Sequence, residues 1–145
     1  EKNIKINFLN PEIILSEISK KMIKNKNSFI VAFTSVAGLR GRKKLLYYSS
    51  SKSGLIAFLS GLRQKLFDDK ILVTTIIPGY MNTKPFRDLN QKPPTLLVTN
   101  PKIVASILKR SVDNQKEIVY INNFWRIIML ALKIIPERIF KRFSF

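Results

Sequence analysis

Two apolar runs decide the fold of this chain: Ser28-Phe-Ile-Val-Ala-Phe33 and Ile71-Leu-Val-Thr-Thr-Ile-Ile77. Neither run alternates between apolar and polar residues, which is typical of strands that are covered on both faces of a parallel sheet. Between them, residues 45–67 carry apolar side chains at helical spacing. A helix that connects two buried strands is the βαβ unit of a parallel, doubly wound sheet. The sequence therefore predicts an α/β fold.

The segment before this unit predicts another helix. Residues 3–24 carry apolar positions close to a 3.6-residue period. Pro11 lies inside this pattern and has no N–H to donate to the preceding turn. We therefore expect a kink, or a helix start near Asn10.

The segment after the unit begins with a strand-breaking Pro-Gly pair. Residues 78–100 lack a clear period, which predicts a long loop with short helical pieces. Asn100 is a good N-cap for a helix that runs from Pro101 to about Ser111. Residues 117–121 predict a third short strand.

Composition excludes several kinds of site. The 145 residues include neither cysteine nor histidine, which rules out thiolate–imidazole zinc sites, disulfides and Ser-His-Asp or Cys-His nucleophiles. We predict no metal site, and the lack of cysteine points to a reducing, cytoplasmic compartment. The net charge of +17 would attract nucleic acid. However, the basic residues are scattered and no nucleic-acid-binding motif accompanies them. We therefore predict no nucleic acid partner, and a basic nucleic-acid-binding domain is the less favoured alternative.

A tyrosine and a lysine share one face of the predicted central helix. Tyr48 and Lys52 are i, i+4 neighbours there. A nearby ammonium favours the phenolate, so it can lower the pKa of a phenol from its usual value of about 10. Tyr48 is thus a candidate proton donor and acceptor for alcohol–ketone chemistry, and Ser35 could hold the substrate oxygen beside it.

These groups are predicted to meet at one edge of the sheet. Ser35 lies just past the first strand, residues 78–83 lie just past the second, and Tyr48 and Lys52 open the helix between them. In open parallel sheets, ligands bind at the carboxyl ends of the strands. The sequence therefore predicts a binding site at this edge.

Three ordered motifs resemble the short-chain dehydrogenase/reductase family: Thr34-Ser35-Val-Ala-Gly38, then Tyr48-x-x-x-Lys52, then Pro78-Gly79-Tyr-Met-Asn-Thr83. Asn7 matches the helix asparagine of that family, although Asn10 stands where many members have glycine. The resemblance covers essentially the whole chain. It implies the C-terminal part of a Rossmann-like doubly wound parallel sheet, with residues 1–121 as a partial catalytic portion and residues 122–145 as an apolar, basic helical tail.

The resemblance also implies an enzyme that interconverts an alcohol and a ketone with NADP or NAD. Tyr48 would exchange the proton with the substrate oxygen, and Ser35 would hydrogen-bond that oxygen. Lys52 would lower the pKa of Tyr48 and bind the nicotinamide ribose, while Asn7 would hold a water that links Lys52 to solvent. The resemblance assigns cofactor binding to Tyr48, Lys52, Pro78, Gly79, Met81 and Thr83.

The Gly-rich dinucleotide loop of that family has no counterpart among the five glycines of this sequence. We expect the chain to begin after the first four strands of the family fold and therefore to bind cofactor poorly on its own. The choice between NADP and NAD stays open. A non-catalytic binding module that keeps the fold is the alternative.

The tail, residues 122–145, is apolar for a soluble enzyme. On a helical projection, Arg126, Lys133 and Glu137 share a narrow polar face. The apolar runs are shorter than the roughly 18–20 residues of a membrane span, so we predict an interfacial helix at the inner face of a membrane. The alternative is a helix that packs on the protein's own substrate pocket or on a neighbouring subunit.

The tail and Leu96-Leu97-Val98-Thr99 are similar to short-chain reductases that act on polyprenyl-phosphate-linked keto-sugars, the decaprenylphosphoryl-2-keto-ribose reductase type. This similarity implies a sugar or lipid-linked carbonyl or alcohol as substrate. The family resemblance further implies a homo-oligomer that pairs through the helix of Tyr48 and the helix near Asn7.

Overall fold

A parallel three-stranded sheet organises the protein. The computed structural model describes residues 1–24, 28–83 and 93–143. Strands β1 (Phe29–Phe33), β2 (Leu72–Pro78) and β5 (Ile118–Ile121) are parallel and lie in the order β1-β2-β5. The α/β fold predicted from the apolar runs is confirmed, with each strand placed within one residue of its predicted bounds.

Helices cover both faces of this sheet. Helix α3 (Leu46–Lys65) packs on one face, and helix α4 (Val104–Asp113) packs on the other. Burial of both faces explains why β2 is apolar without alternation, since every residue from Val73 to Pro78 is buried. The first face is filled by Ile30, Leu55, Leu59, Leu62, Leu66 and Val73. The second is filled by Ile76, Val104, Val119 and Ile121.

The N-terminal helix contains a widened turn. Helix α1 (Lys2–Ile4) continues through a π-helical turn, Lys5–Leu9, into helix α2 (Asn10–Met22). The backbone N–H of Asn10 reaches back five residues to the carbonyl of Lys5. Pro11 has no N–H and so leaves one carbonyl of the preceding turn without a helical donor. The disturbance predicted at Pro11 thus takes the form of a widened turn that ends at Leu9, and the helix continues through Asn10 instead of starting there.

The stretch after β2 contains more structure than its lack of periodicity indicated. Strands β3 (Tyr80–Met81) and β4 (Val98–Thr99) pair in parallel as a separate two-stranded sheet. A 3-10 turn, Thr95–Leu97, precedes β4 and agrees with the short helical pieces expected in this stretch. Residues 84–92, which belong to the same predicted loop, lie outside the described residues.

The predicted N-cap at Asn100 is present, on the turn that leads into α4. The side-chain Oδ1 of Asn100 accepts a hydrogen bond from the Lys102 N–H at 3.0 Å. The first turn, Pro101–Ile103, is a 3-10 turn that leads into α4.

Two further helices form the tail. Helix α5 (Phe124–Ile134) is followed, after Pro136, by the short helix α6 (Glu137–Phe140). Trp125 and Met129 on α5 are buried against the carboxyl end of the sheet. Within the three described ranges, no helix combines the length and apolar character that crossing a membrane requires.

Candidate active site

The turn after β1 holds Ser35 in place. Thr34 is buried, and both its N–H and its Oγ1 donate hydrogen bonds of 2.8 Å to the Ile76 carbonyl on β2. Ser35 follows in an extended conformation, and its Oγ accepts a hydrogen bond of 3.2 Å from the Ala37 N–H. The Thr34 hydroxyl is thus engaged by the sheet, whereas the Ser35 hydroxyl hydrogen remains available to a ligand.

The same turn lies directly against α3 at Lys52. A Cβ added to Gly38 would lie 2.7 Å from the Lys52 carbonyl carbon and 2.8 Å from the Ser53 nitrogen. Non-bonded contacts of a Cβ atom are essentially never this short, so only glycine allows this approach. The contact fixes the distance between the Ser35 turn and the helix that carries Tyr48 and Lys52. Gly38 belongs to the first of the three sequence motifs, but the motif does not indicate this packing role.

Lys52 extends from α3 to the end of β1. Its Nζ donates a hydrogen bond of 3.3 Å to the Phe33 carbonyl and lies 5.8 Å from the centroid of the Tyr48 ring. The side chain is half-buried, and burial lowers the pKa of the Lys52 ammonium from its ordinary value. None of the ion pairs found within residues 1–24, 28–83 and 93–143 involves Lys52. The structure therefore places a partly desolvated cation beside Tyr48, with a neutral carbonyl as its hydrogen-bond acceptor.

Two adjacent tyrosines differ in their surroundings. Tyr48, in the first turn of α3, is half-buried beside Lys52, whereas the Tyr47 side chain is 66% exposed. The structure thus brings Tyr48, Lys52 and Ser35 to the same edge of the sheet and leaves Tyr47 in solvent.

Asn7 lies in the π-helical turn of the N-terminal helix. Its Nδ2 donates a hydrogen bond of 3.2 Å to the Asn3 carbonyl, so the amide is bound to its own helix. The neighbouring Phe8 ring packs on α3, because a Cβ at Gly54 would lie 3.3 Å from it. The widened turn therefore packs against α3 at Gly54, which is two residues after Lys52 in the sequence.

The segment after β2 crosses the tail helix. Pro78 is buried and pairs with Ile121 on β5. A Cβ on Gly79 would lie 1.9 Å from the Trp125 indole Nε1, which itself donates a hydrogen bond of 3.0 Å to the Leu97 carbonyl. Gly79 therefore has a packing role against α5 that the sequence did not indicate.

Met81 and Thr83 follow within a few residues of that crossing. Met81 is half-buried in β3 and packs against the core of the second sheet face. The Thr83 N–H donates a hydrogen bond of 2.8 Å to the Met81 carbonyl, and the Thr83 hydroxyl lies 3.4 Å from the same oxygen. The hydroxyl contact is long, so this group can turn toward a ligand at little cost.

A cavity of about 270 Å³ opens between the Ser35 turn and the tail. Its apolar lining includes Val36, Leu97, Trp125, Met129, Leu132 and Phe140. Arg40 and Arg42 supply cationic groups to the same cavity. The cavity is therefore mainly apolar, as ligand pockets commonly are, and it lies next to the turn that begins with Ser35.

Arg40 connects the site to the tail, and no sequence motif predicted this role. Its guanidinium donates hydrogen bonds to the Lys133 carbonyl (3.4 Å), the Ile135 carbonyl (3.1 Å) and the Glu137 carboxylate (2.7 Å). It also stacks over the Phe140 ring at 4.1 Å. Arg40 thus satisfies carbonyls at the C-terminal end of α5 and holds α6 against the cavity.

A second cavity, of about 580 Å³, lies at the opposite end of the sheet, where Phe29 and Leu72 begin their strands. The Arg63 guanidinium in its wall is already engaged by the Val73 carbonyl, the Thr75 hydroxyl and the Glu117 carbonyl. This end is the amino edge of the strands, and parallel sheets bind ligands at the carboxyl edge. We therefore place the candidate site at the carboxyl edge of the sheet. The smaller cavity adjoins this edge through Val36 and Arg40, although Ser35, Tyr48 and Lys52 do not line it. The described part of the chain contains no cluster of three acidic side chains that could hold a metal ion.

Fold and site together define a class of protein, an open parallel α/β sheet with polar groups converging at its carboxyl edge. Residues 1–94 match the family model described as short chain dehydrogenase, and this chain belongs to that family. The family resemblance stated from the three motifs is confirmed.

Curated relatives include oxidoreductases of several organisms. The chain is 29% identical over 129 residues to an uncharacterised oxidoreductase of Mycobacterium tuberculosis, covering 89% of this chain and 51% of the relative. It is 35% identical over 86 residues to a 3-oxoacyl-[acyl-carrier-protein] reductase of Bos taurus, covering 59% of this chain and 36% of the relative. The chain thus spans about half, or less, of the length of these relatives.

Solved structures share the fold at low sequence identity. A short chain dehydrogenase from Burkholderia cenocepacia in complex with NADP superimposes with a TM-score of 0.79 at 17% identity, covering 96% of this chain and 56% of that structure. A short-chain dehydrogenase from Sphingobium yanoikuyae in complex with NADPH gives 0.70 at 15% identity, covering 92% and 56%. These likenesses support the Rossmann-like α/β architecture.

Proposed function

We propose that the protein interconverts an alcohol and a ketone with NADP or NAD, using Tyr48 as the proton donor and acceptor. One observation carries this proposal. The half-buried Lys52 ammonium is held 3.3 Å from the Phe33 carbonyl, at the end of β1 and beside the Tyr48 ring, with the Ser35 turn packed on the same stretch of α3.

The hydrogen-bonding capacity of these residues fits the chemistry. In the reduction, the Tyr48 hydroxyl gives its proton to the carbonyl oxygen, and the phenolate that forms is stabilised by the Lys52 cation. The Ser35 Oγ accepts from Ala37 N–H, so its own hydrogen is free to donate to the same carbonyl oxygen. Oxidation of the alcohol uses the same groups in reverse.

Lys52 also fits the ribose end of a nicotinamide cofactor. An ammonium has three N–H donors, and the Phe33 carbonyl takes one of them, which leaves two for ribose hydroxyls. When bound, the nicotinamide would supply or accept the hydride, which no side chain can do. Pro78, Gly79, Met81 and Thr83 are the remaining proposed cofactor contacts. Gly79 would contact the cofactor through its backbone. A larger residue does not fit there, because the Trp125 indole occupies the space that its Cβ would need.

Asn7 is proposed to hold a water that connects Lys52 with solvent. Its turn is π-helical, and Pro11 leaves a carbonyl there without a helical N–H donor. A carbonyl of this kind accepts a hydrogen bond from water. The Asn7 amide bonds to Asn3, so we assign the contact with water to the backbone as much as to the side chain.

The proposed activity is that of the whole protein. The chain spans 51% of the length of its mycobacterial relative, and its five glycines form no dinucleotide loop. We propose that residues 1–145 alone bind the cofactor weakly and transfer no hydride.

The substrate is proposed to be a lipid-linked or otherwise largely apolar carbonyl compound, such as a lipid-linked sugar. The 270 Å³ cavity next to the turn that begins with Ser35 supports this, because apolar side chains dominate its lining. Arg42 is the lining cation proposed for an anionic group, since Arg40 is already paired with Glu137. We also propose a cytoplasmic protein that works at the inner face of a membrane. A homo-oligomer is proposed from the exposed apolar side chains of the N-terminal helix, namely Ile6, Ile13, Ile14 and Ile18.

The test uses the full-length protein and follows nicotinamide absorbance with a panel of ketones, including 3-oxoacyl thioesters and prenyl-linked keto-sugars. Ser35→Ala should lower kcat for every substrate that turns over, because it removes a hydrogen bond to the reacting oxygen. Ser50→Ala, a change on the exposed side of α3, is the matched control and should leave kcat unchanged. Cofactor binding without turnover of any ketone would instead favour the non-catalytic binding module.

A further inference from the structure

The tail carries an apolar stripe that faces solvent. We call it the outer face, and it consists of Phe124, Ile127, Leu130 and Ile134 on α5 and Ile139 on α6. These side chains are between 48% and 74% exposed. Their spacing of three or four residues along α5 places them on one side of the helix. An exposed stripe of this kind marks an interaction surface.

The opposite side of α5 is already occupied. Trp125 and Met129 are buried, and Ile128 and Leu132 pack with them against Val36 and Ile77. The Trp125 indole is fixed further by its hydrogen bond to Leu97 and by its fit against Gly79. The helix therefore cannot rotate to bury the outer face without losing this packing.

Arg40 fixes the end of the same helix. Its side chain is only 18% exposed and binds the Lys133 and Ile135 carbonyls at the C-terminus of α5. It thereby sets the direction in which α6 continues, with the Phe140 ring under the guanidinium and Ile139 outward. Both helices hence present apolar side chains to solvent.

The charges around this surface have one sign. Arg126 and Lys133 flank the outer face on α5, and Arg138, Lys141 and Arg142 surround it at α6. Glu137 is the one carboxylate among residues 124–143, and its charge is paired with Arg40. Five cations are left without a carboxylate in this segment, next to an apolar stripe.

We infer that the outer face docks in the plane of an anionic lipid surface. An apolar stripe rimmed by lysine and arginine is the pattern of helices that lie in the headgroup region, where anionic lipids attract the cations. The eleven residues of α5 are about 16 Å long, too short to cross a hydrocarbon core of about 30 Å. A second copy of the chain fits less well, because its own cations would face these cations.

This docking places the cavity beside the membrane. The inner face of α5 lines the cavity and its outer face meets the lipid, so one helix separates the substrate site from the acyl chains. The inference rests on the proposed peripheral location and is independent of the proposed reaction.

The test is sedimentation of the full-length protein with vesicles of phosphatidylcholine, with and without phosphatidylglycerol, at low and raised salt. We expect salt-sensitive sedimentation with the anionic vesicles. Replacing both Ile127→Glu and Leu130→Glu should lower the partition coefficient at least about tenfold, because these groups no longer enter the interface. Phe67→Glu, at a side chain 75% exposed near the amino end of the sheet, is the matched control and should bind like wild type.

Two further readouts keep the result unambiguous. Lys141→Gln with Arg142→Gln should weaken sedimentation with anionic vesicles, and far-UV circular dichroism should show every variant folded. All these positions lie outside the catalytic edge, so turnover of a soluble ketone should persist even where docking is lost. Wild-type protein that stays in the supernatant, or an outer-face variant that binds like wild type, would overturn the inference. So would an outer-face variant whose only change is loss of a dimer.

Discussion

Gly38 lies so close to Lys52 that a Cβ at Gly38 would be 2.7 Å from the Lys52 carbonyl carbon. Two segments of the site meet at this contact, the turn that begins with Ser35 and the helix that carries Tyr48. Their mutual position therefore depends on this backbone packing as well as on the hydrogen bond from Lys52 Nζ to the Phe33 carbonyl.

Gly38→Ala should therefore damage both stability and activity. The added methyl group collides with helix backbone, which cannot move aside as a flexible side chain can, and such overpacking costs about 1–3 kcal/mol. Urea unfolding of the full-length protein should show this loss, and kcat should fall with it. Gly61→Ala, in the helix α3 that Gly38 packs against, is the control, because a Cβ there meets nothing within 4 Å. It should stabilise the protein by about 0.5–1 kcal/mol, since alanine favours helix over glycine. Equal effects at both positions would contradict the packing argument.

Lys52→Met should separate stability from activity. Burial lowers the pKa of Lys52 in the folded protein, so between that lowered pKa and the unfolded value of about 10.4 the unfolded chain binds more protons. Stability contributed by this residue therefore rises as the pH rises through the folded pKa, and the charged form is a cost at neutral pH. The methionine variant should be at least as stable as wild type at pH 7 and should lack this alkaline rise, while its turnover is lost. Unfolding curves at several pH values check the slope; a variant that is active, or that retains the rise, would refute the assignment.

Gly79 and Trp125 should be energetically coupled. Gly79→Ala alone forces the indole out of position, because the new Cβ would lie 1.9 Å from its Nε1, and we expect a cost of more than about 3 kcal/mol. Trp125→Ala alone leaves a void, and we expect it to lower the free energy of unfolding by about 3–5 kcal/mol. In the double variant the alanine methyl enters the void, so the total loss should be smaller than the sum. A double-mutant cycle measures the coupling, and strict additivity would exclude it.

Arg40 should matter more than its ion-pair partner. Glu137 is 77% exposed, and exposed ion pairs contribute about 0–1 kcal/mol, so Glu137→Gln should change the free energy of unfolding little. Arg40→Met also removes the donors to two carbonyls at the end of α5 and the stacking on Phe140. We expect a loss of about 1–3 kcal/mol. A larger loss of stability from Glu137→Gln than from Arg40→Met would contradict this. It would mean that the ion pair, and not the hydrogen bonds to the end of α5, provides most of the stabilisation.

The strands, and the places of the candidate residues Ser35, Tyr48 and Lys52 in the fold, could be predicted because their signals are local. The apolar runs at residues 28–33 and 71–77 identify buried strands without outside information. Tyr48 and Lys52 are one helical turn apart, and Ser35 ends a strand, so their convergence follows from the rule that parallel strands present their carboxyl ends together.

The missed features depend on residues that are far apart in sequence. Gly79 meets Trp125 across 46 positions, and Arg40 meets the end of α5 across more than 90. No periodicity reports such pairs. The pairing of β3 with β4 was missed because two-residue strands carry no pattern of their own. The π-helical turn was anticipated only as a disturbance at Pro11, since a missing N–H does not specify how the helix will adjust.

The most direct test of the account is the turnover of full-length Tyr48→Phe beside Tyr47→Phe, measured with saturating cofactor and ketone. Both changes remove one hydroxyl from adjacent positions of α3, but only the Tyr48 ring lies beside the Lys52 ammonium. The account predicts that Tyr48→Phe lowers kcat by about 100-fold or more while cofactor binding persists, and that Tyr47→Phe stays within about twofold of wild type. A Tyr48→Phe enzyme that keeps wild-type turnover would contradict it.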